Sequence, residues 1–192
     1  MTASAMQPRD TGKEGTAAMV EETLCAFNSD LYAEVAQWLT IEAQLLDDRL
    51  ERQWLETMVS RDVSYVMPMR QTTFRTEGYG FLDDMYHLQE TYGSLETKVA
   101  RNETGSAWAE DPPSRFRHFV SNIRAYQRSD GDFGARSALL LYRMRGDQHV
   151  PTLISGERRD ILQRIDGRLK LLRREILLDH TVIAAENLAI FF

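Results

Sequence analysis

The chain has 192 residues, 43% of them apolar and 27% charged, and a net charge of −6. That composition supports one ordinary globular core, and its interleaved charges lack the basic surface of a nucleic-acid binder. Cys25 is the only cysteine, which excludes a disulfide framework and any iron–sulfur cluster or cysteine-rich zinc site built within one copy.

Residues 1–25 are mostly polar and lack apolar periodicity, so they read as a flexible arm ahead of one domain at 26–192. The N-terminus has no apolar h-region, and no run reaches the length of a membrane span. These features predict a soluble cytoplasmic protein that binds neither membrane nor nucleic acid.

Asn28-Ser29-Asp30 supplies N-cap residues for a helix running to about Leu46. Its apolar face carries Leu31, Val35, Trp38, Leu45 and Leu46, and Glu42 and Arg49 fall on the same face. A second short helix is predicted from Leu50 to Met58. VSYVMPMR at 63–70 reads as an edge strand or strand end, because Pro68 cannot donate to a ladder. Residues 83–101 open with acids and close with Lys98 and Arg101, a charge order suited to a helix macrodipole. Residues 102–114 follow as a loop containing Gly105 and Pro112-Pro113.

The second half reads as strands at 117–127, 135–145, 150–165 and 168–179. They are separated by turn signals, of which Asp166-Gly167 is a strong hairpin cue. Gly156 marks an expected bulge. Helices first, then a long curved antiparallel or mixed sheet, predict an α+β fold of the cone-shaped NTF2-like kind.

Few constellations suggest chemistry. His87, His118, His149 and His180 recur every 31 residues, but their flanks share nothing, so the spacing indicates no repeat. No HxxD or HxxxH pair supports a metal site. There is also no dinucleotide fingerprint, P-loop or GxSxG elbow. Glu42 stands out as a carboxylate on an apolar stripe. NTF2-like enzymes such as ketosteroid isomerases and scytalone dehydratases do acid–base work inside the cone. Glu42, Asp48, Tyr65 and His118 would form such a set if they converge. The alternative is that Glu42 is held by an arginine, either Arg49 or one from the sheet.

TGSAWAEDPPSRFRHFVSNI, at 104–123, closely resembles the central signature of the small (beta) subunits of aromatic-ring-hydroxylating dioxygenases of the toluene, biphenyl and polycyclic-hydrocarbon type. EAQLLDDRLERQWLETMVSRDVSYVMPMR resembles the family's helix–helix–strand entry, and RRDILQRIDGRLKLLRREILLDHTVIAAENLAIFF its closing hairpin and apolar C-terminus. The likeness covers about residues 30–192. QTTFRTEGYGFLDDMYHLQETYGSLET departs from it, being more aromatic and richer in glycine.

The resemblance implies an assembly subunit with no catalytic, cofactor-binding or metal-binding residues of its own. The Rieske [2Fe–2S] cluster and mononuclear Fe(II) would lie on a partner alpha subunit, in a hexamer of three alpha and three beta chains with a trimeric beta stem. It makes AWAEDPPSR a docking loop, with Trp108, Glu110, Asp111, Pro112, Pro113 and Arg115 at the subunit interface. The tail LAIFF either joins that interface through Phe191 and Phe192 or packs on its own sheet. His118 is expected to be hydrogen-bonded inside the fold. The competing functions are a stand-alone dehydratase or isomerase using the cone residues, and a plain dimerisation module.

Overall fold

The computed structural model describes residues 20–74, 78, 80–104, 114–147, 149–182 and 190–192. The elements run β1 (Glu22–Leu24), α1 (Asp30–Asp47), α2 (Glu51–Met58), β2 (Val59–Arg70), β3 (Phe81–Glu90), α3 (Tyr92–Glu103), β4 (Arg115–Arg128), β5 (Phe133–Met144), β6 (Thr152–Ile165) and β7 (Arg168–Leu178). The seven strands form one sheet in the order β1-β4-β5-β6-β7-β2-β3. β4 to β7 make the expected antiparallel meander, and β2 joins β7 in parallel, so the sheet is mixed. This is the expected α+β cone, with the helices against the inner side of a curled sheet.

Local chemistry accounts for most of the boundaries. The Ser29 side chain accepts from the Tyr32 backbone N–H and starts α1. Val35, Trp38, Leu39, Glu42, Leu45 and Leu46 form its buried stripe, and Trp38 Nε1 donates to the Leu169 carbonyl at 3.0 Å, pinning the helix to β7. Asp166 and Gly167 both have positive φ, 49° and 75°, which is the geometry a two-residue hairpin between twisted strands requires.

Several expectations are corrected. FLDDMYHLQE is a strand, not the start of a helix: Thr91 and Ser94 close a capping box that starts α3 only at Tyr92. Its acids lie on the last strand of the sheet, where charge is tolerated. Of the two readings of VSYVMPMR, strand end holds and edge strand does not: it closes β2, which lies between β7 and β3, and Pro68 falls where its register with β3 shifts. Glu22–Leu24, placed in the arm, pairs with Tyr126–Arg128 of β4.

Gly156 is not a bulge. It pairs in register with Leu139 and Leu178, and a Cβ there would stand 2.7 Å from the Leu177 carbonyl oxygen, so glycine serves close backbone approach. Register irregularities lie elsewhere, among them between Ser121 and Arg124 in β4, between Ile161 and Leu162 where β6 meets β7, and along β2 against both β7 and β3. Among the described residues, no helix is long and apolar enough to cross a membrane.

Candidate functional site: the floor of the cone

Strict alternation along β6 turns Ile154, Gly156, Arg158, Asp160 and Leu162 inward. That run carries two charged residues into an apolar face. β7 begins with Leu169 and Leu171 inward, and its register shift then moves the inward set to Arg174, Ile176 and Leu178. The shift is what brings Arg174, fully buried, to the floor of the cone.

Arg174 holds two carboxylates at once. Its Nη1 and Nη2 donate to Glu42 Oε1 and Oε2 at 2.9 and 2.8 Å, and its Nε and Nη2 donate to Asp160 Oδ1 and Oδ2 at 2.8 and 2.7 Å. Arg158 Nη1 donates to Glu42 Oε2 at 3.1 Å, and Trp54 Nε1 to Glu42 Oε1 at 3.0 Å. Burial by itself would raise the Glu42 carboxyl. The Arg174 and Arg158 guanidiniums, with hydrogen bonds from Arg174 and Trp54, outweigh burial and hold it below its ordinary pKa. Burial and the neighbouring Arg174 cation pull Arg158 down, and its Nη2 is a buried donor with no hydrogen-bond partner among the described residues.

Residues 190–192 lie on this floor, and three basic side chains meet their three carbonyl oxygens in turn. Lys98 Nζ donates to Ile190 O at 2.8 Å, His118 Nε2 lies 3.1 Å from Phe191 O, and Arg174 Nη1 donates to Phe192 O at 2.6 Å. The Tyr65 hydroxyl also donates to Phe192 O at 2.9 Å and accepts from the Phe192 N–H at 2.7 Å. The Phe191 ring packs on Trp54 with centroids 5.0 Å apart, and Lys98 Nζ stands 4.9 Å from its centre. Ile190, Phe191 and Phe192 are thus buried in this chain's own core. Of the two placements expected for the tail, subunit interface or packing on its own sheet, the structure shows Phe191 and Phe192 packed within this chain. Burial pushes the Lys98 pKa down to about 8 and that of Tyr65 up to about 12.

The proposed acid–base set does not assemble. Glu42 and Tyr65 share the floor, but Glu42 is locked between cations. Asp48 is the exposed C-cap of α1, with its backbone N–H turned back to Gln44 and Leu46. His118 is hydrogen-bonded inside the fold as expected, but to Asp47: Nδ1 lies 2.7 Å from Asp47 Oδ1, which also accepts from the His118 backbone N–H at 3.0 Å. Glu42 is held by arginines of the sheet rather than by Arg49, whose positive φ of 59° carries it past the end of α1. Inspection of the sequence missed Arg158, Asp160, Arg174, Lys98, Trp54 and Asp47. The alternation of β6 was the one available signal, since it places Arg158 and Asp160 in phase with Ile154 and Leu162.

Of the expected interface residues, Trp108, Glu110, Asp111, Pro112 and Pro113 lie outside the described residues. Arg115 is exposed at the start of β4, where its Nη2 donates to the Gly146 carbonyl at 3.1 Å. Among the described residues, no three His, Cys, Asp or Glu side chains converge as metal ligands. Cys25 is a half-buried lone thiol beside β1, so the residues present do not fit a [2Fe–2S] ligand set.

Comparison with known proteins agrees with this architecture. Residues 41–185 match the model of the ring hydroxylating beta subunit family. The benzene 1,2-dioxygenase subunit beta of Pseudomonas putida is 31% identical over 169 residues, spanning 85% of this chain and 89% of that protein. Among solved structures, naphthalene 1,2-dioxygenase with indole bound in its active site superposes with a TM-score of 0.77 at 27% identity, covering 86% of this chain and 89% of the matched one. The benzoate 1,2-dioxygenase beta subunit of Burkholderia mallei, at 19% identity, TM-score 0.64 and coverage of 83% and 96%, shares the fold. A scytalone dehydratase homologue from Novosphingobium aromaticivorans, at 16% identity, TM-score 0.55 and coverage of 84% and 95%, also shares the fold alone. The family match over most of the chain and the curated relative agree, and the chain belongs to the beta subunits of aromatic ring-hydroxylating dioxygenases.

Proposed function

We propose that this chain is the assembly subunit of a terminal oxygenase that cis-dihydroxylates an aromatic hydrocarbon, with turnover carried by a partner alpha subunit. The Rieske cluster and mononuclear Fe(II) belong to that partner, in a cytoplasmic assembly of three alpha and three beta chains in which the beta chains form a trimer. The observation that carries this reading is the filled floor. Where a cone enzyme needs room for substrate beside a free acid or base, this chain places its own residues 190–192, and both oxygens of Glu42 are committed to cations. The names of the relatives support the aromatic substrate class. The stand-alone dehydratase or isomerase is not favoured, because its acid–base set does not converge.

The segment from Trp108 to Arg115, with Glu110, Asp111, Pro112 and Pro113, is the proposed docking element. Trp108→Ala and Arg115→Ala are expected to weaken alpha–beta association while leaving the beta chain folded. Truncating an anchor of this type costs about 2 kcal/mol, roughly thirtyfold in affinity. Turnover should fall with the loss of intact complex and recover when subunit concentrations are raised. An inactive His118→Ala complex with normal stability and full iron content would place catalysis on this chain and overturn the reading.

A further inference from the structure

The outer side of the sheet, turned away from the helices, carries two exposed apolar patches at opposite ends of β4. Near its start Phe119 pairs with Leu140, and two residues along β5 Tyr142 pairs with Leu153. Leu139, Leu141 and Ile154 face the core, so these four side chains alternate outward. Phe119 is 56% and Leu153 50% exposed. Near the end of β4, Leu24 of β1 lies opposite Tyr126, whose neighbour Ala125 is fully buried. Leu24 is 57% exposed, and Phe27, three residues on, is 73% exposed. Single apolar side chains on a surface mean little, but clusters shared between strands mark contact surfaces.

The two ends differ in charge. Beside the first patch, Arg115, Arg117, Arg143 and Arg145 stand against Asp47 and Asp147, and the Arg117 side chain keeps 66% of its surface exposed. Beside the second, Glu22 and Asp130 take up Arg128 and Arg136, which leaves Glu21, Asp30 and Asp132 against Arg124. Packing either patch on its own likeness would oppose like charges. Packing the first on the second opposes unlike ones, so the occupant that fits each patch is the other patch on a second copy. Two different surfaces joined in this way make a head-to-tail contact, which closes into a ring when the rotation allows. We propose that the patch around Phe119 and Leu140 of one beta chain receives the patch around Leu24 and Phe27 of the next, closing three copies into a ring. This rests on the assembly role proposed above and names the surfaces by which the beta chains meet.

The test is sedimentation of the beta chain alone, which should run as a trimer at micromolar concentrations, beside two variants. Phe119→Glu disables the first patch and Leu24→Lys the second. Both side chains are exposed, so thermal unfolding should stay unchanged. Each variant alone should associate at least about tenfold more weakly than the parent. Mixed together, the two should at least pair, because one copy brings an intact first patch and the other an intact second. That mutual rescue belongs to a head-to-tail contact and to neither a self-matching face nor a general loss of stability. A parent chain that stays monomeric, or a mixture no better associated than its parts, overturns the contact. Association weakened by Phe119→Glu and untouched by Leu24→Lys would mean that the first patch meets its own likeness, and also overturns it. If Phe119→Glu leaves the beta trimer intact and weakens only its hold on the alpha subunit, the patch is an alpha-facing surface and the contact is again overturned, with the assembly role standing. A beta trimer that shows the rescue but is joined by no alpha subunit overturns the assembly role and upholds the contact.

Discussion

Glu42 on α1 and Glu51 at the start of α2 are both glutamates taken partly or wholly out of water, and the fold drives their acidity in opposite directions. Glu42 has no exposed surface, yet its carboxyl stays below the ordinary range, because two guanidiniums and an indole N–H more than offset its burial. Glu51 is only half-buried, on a surface groove with Arg49, Arg52 and Glu103, apart from the cone floor. Burial raises its carboxyl, and a 3.1 Å hydrogen bond from Asn102 with the more distant Arg49 and Lys98 offsets that only in part. Burial alone therefore does not set the state of a carboxylate; the number and placement of the cations beside it do.

The comparison breaks most sharply by neutralising each residue in turn. Glu42→Gln keeps the shape but leaves Arg174 and Arg158 short of a counter-charge in a sealed site. Breaking a buried pair of this kind costs about 3–5 kcal/mol, so chemical denaturation should show one of the largest losses of any single change in this chain. Glu51→Gln retains an acceptor for Asn102 and removes a charge that burial disfavours, so its effect at neutral pH should stay within about 1 kcal/mol. The two also differ in acid. Glu42, depressed, contributes stability that is complete above pH 4.5 and drains away as pH falls through its lower folded value. Glu51, raised, stabilises below pH 4.5 and loses that contribution as pH rises through its folded value. Stability profiles of the two variants should therefore depart from the parent with opposite slopes on the acid side.

A second, smaller effect lies on the alkaline side, again within the floor. Lys98 is held at about 8 against 10.5 in the open chain, so between those values the unfolded chain binds more protons and stability rises with pH. Tyr65, raised from 10 to about 12, works the other way: its contribution is complete below pH 10 and is lost as pH climbs through 12. A tenfold change in a group's acidity on folding corresponds to about 1.4 kcal/mol. Denaturation midpoints should climb from pH 8 toward 10, and Lys98→Met should remove that climb. A climb of the same size in Lys98→Met would mean that the lysine is not desolvated by the tail.

The smallest effect is expected where the same ion-pair chemistry is exposed. Arg164 grips Glu34 with two hydrogen bonds, of 2.8 and 2.7 Å, nearly the geometry of Arg174 on Glu42. Both side chains are about two-fifths exposed, so water and salt screen the pair. Arg164→Ala should cost no more than about 1 kcal/mol, less still in high salt. A loss as large as that of Glu42→Gln would mean that geometry, not desolvation, governs both sites.

Local chemistry made much of this molecule legible before folding. The Ser29 cap, the stripe from Val35 to Leu46, the Asp166-Gly167 turn and the four strands of the second half follow from residue type and period, which act over a few positions. The likeness in AWAEDPPSRFRHFVSN and its flanks pointed to the family for a similar reason, since short blocks in a fixed order survive in the bare sequence. Glu42 could be picked out as a buried carboxylate because its helix face is a local pattern. Its partners could not, because Arg158 and Arg174 lie more than a hundred residues away and reach it only through the folded sheet. In β7 a register shift reverses which residues face inward, and nothing in RLKLLRREILL shows where that shift falls. β3 was misread because two acids before an apolar run suit a helix start or an exposed edge equally well, and only the order of strands decides between them. The fate of the tail was also a tertiary matter: LAIFF is apolar enough for an interface or a core, and its burial depends on Lys98, His118, Tyr65 and Arg174 converging from four separate elements.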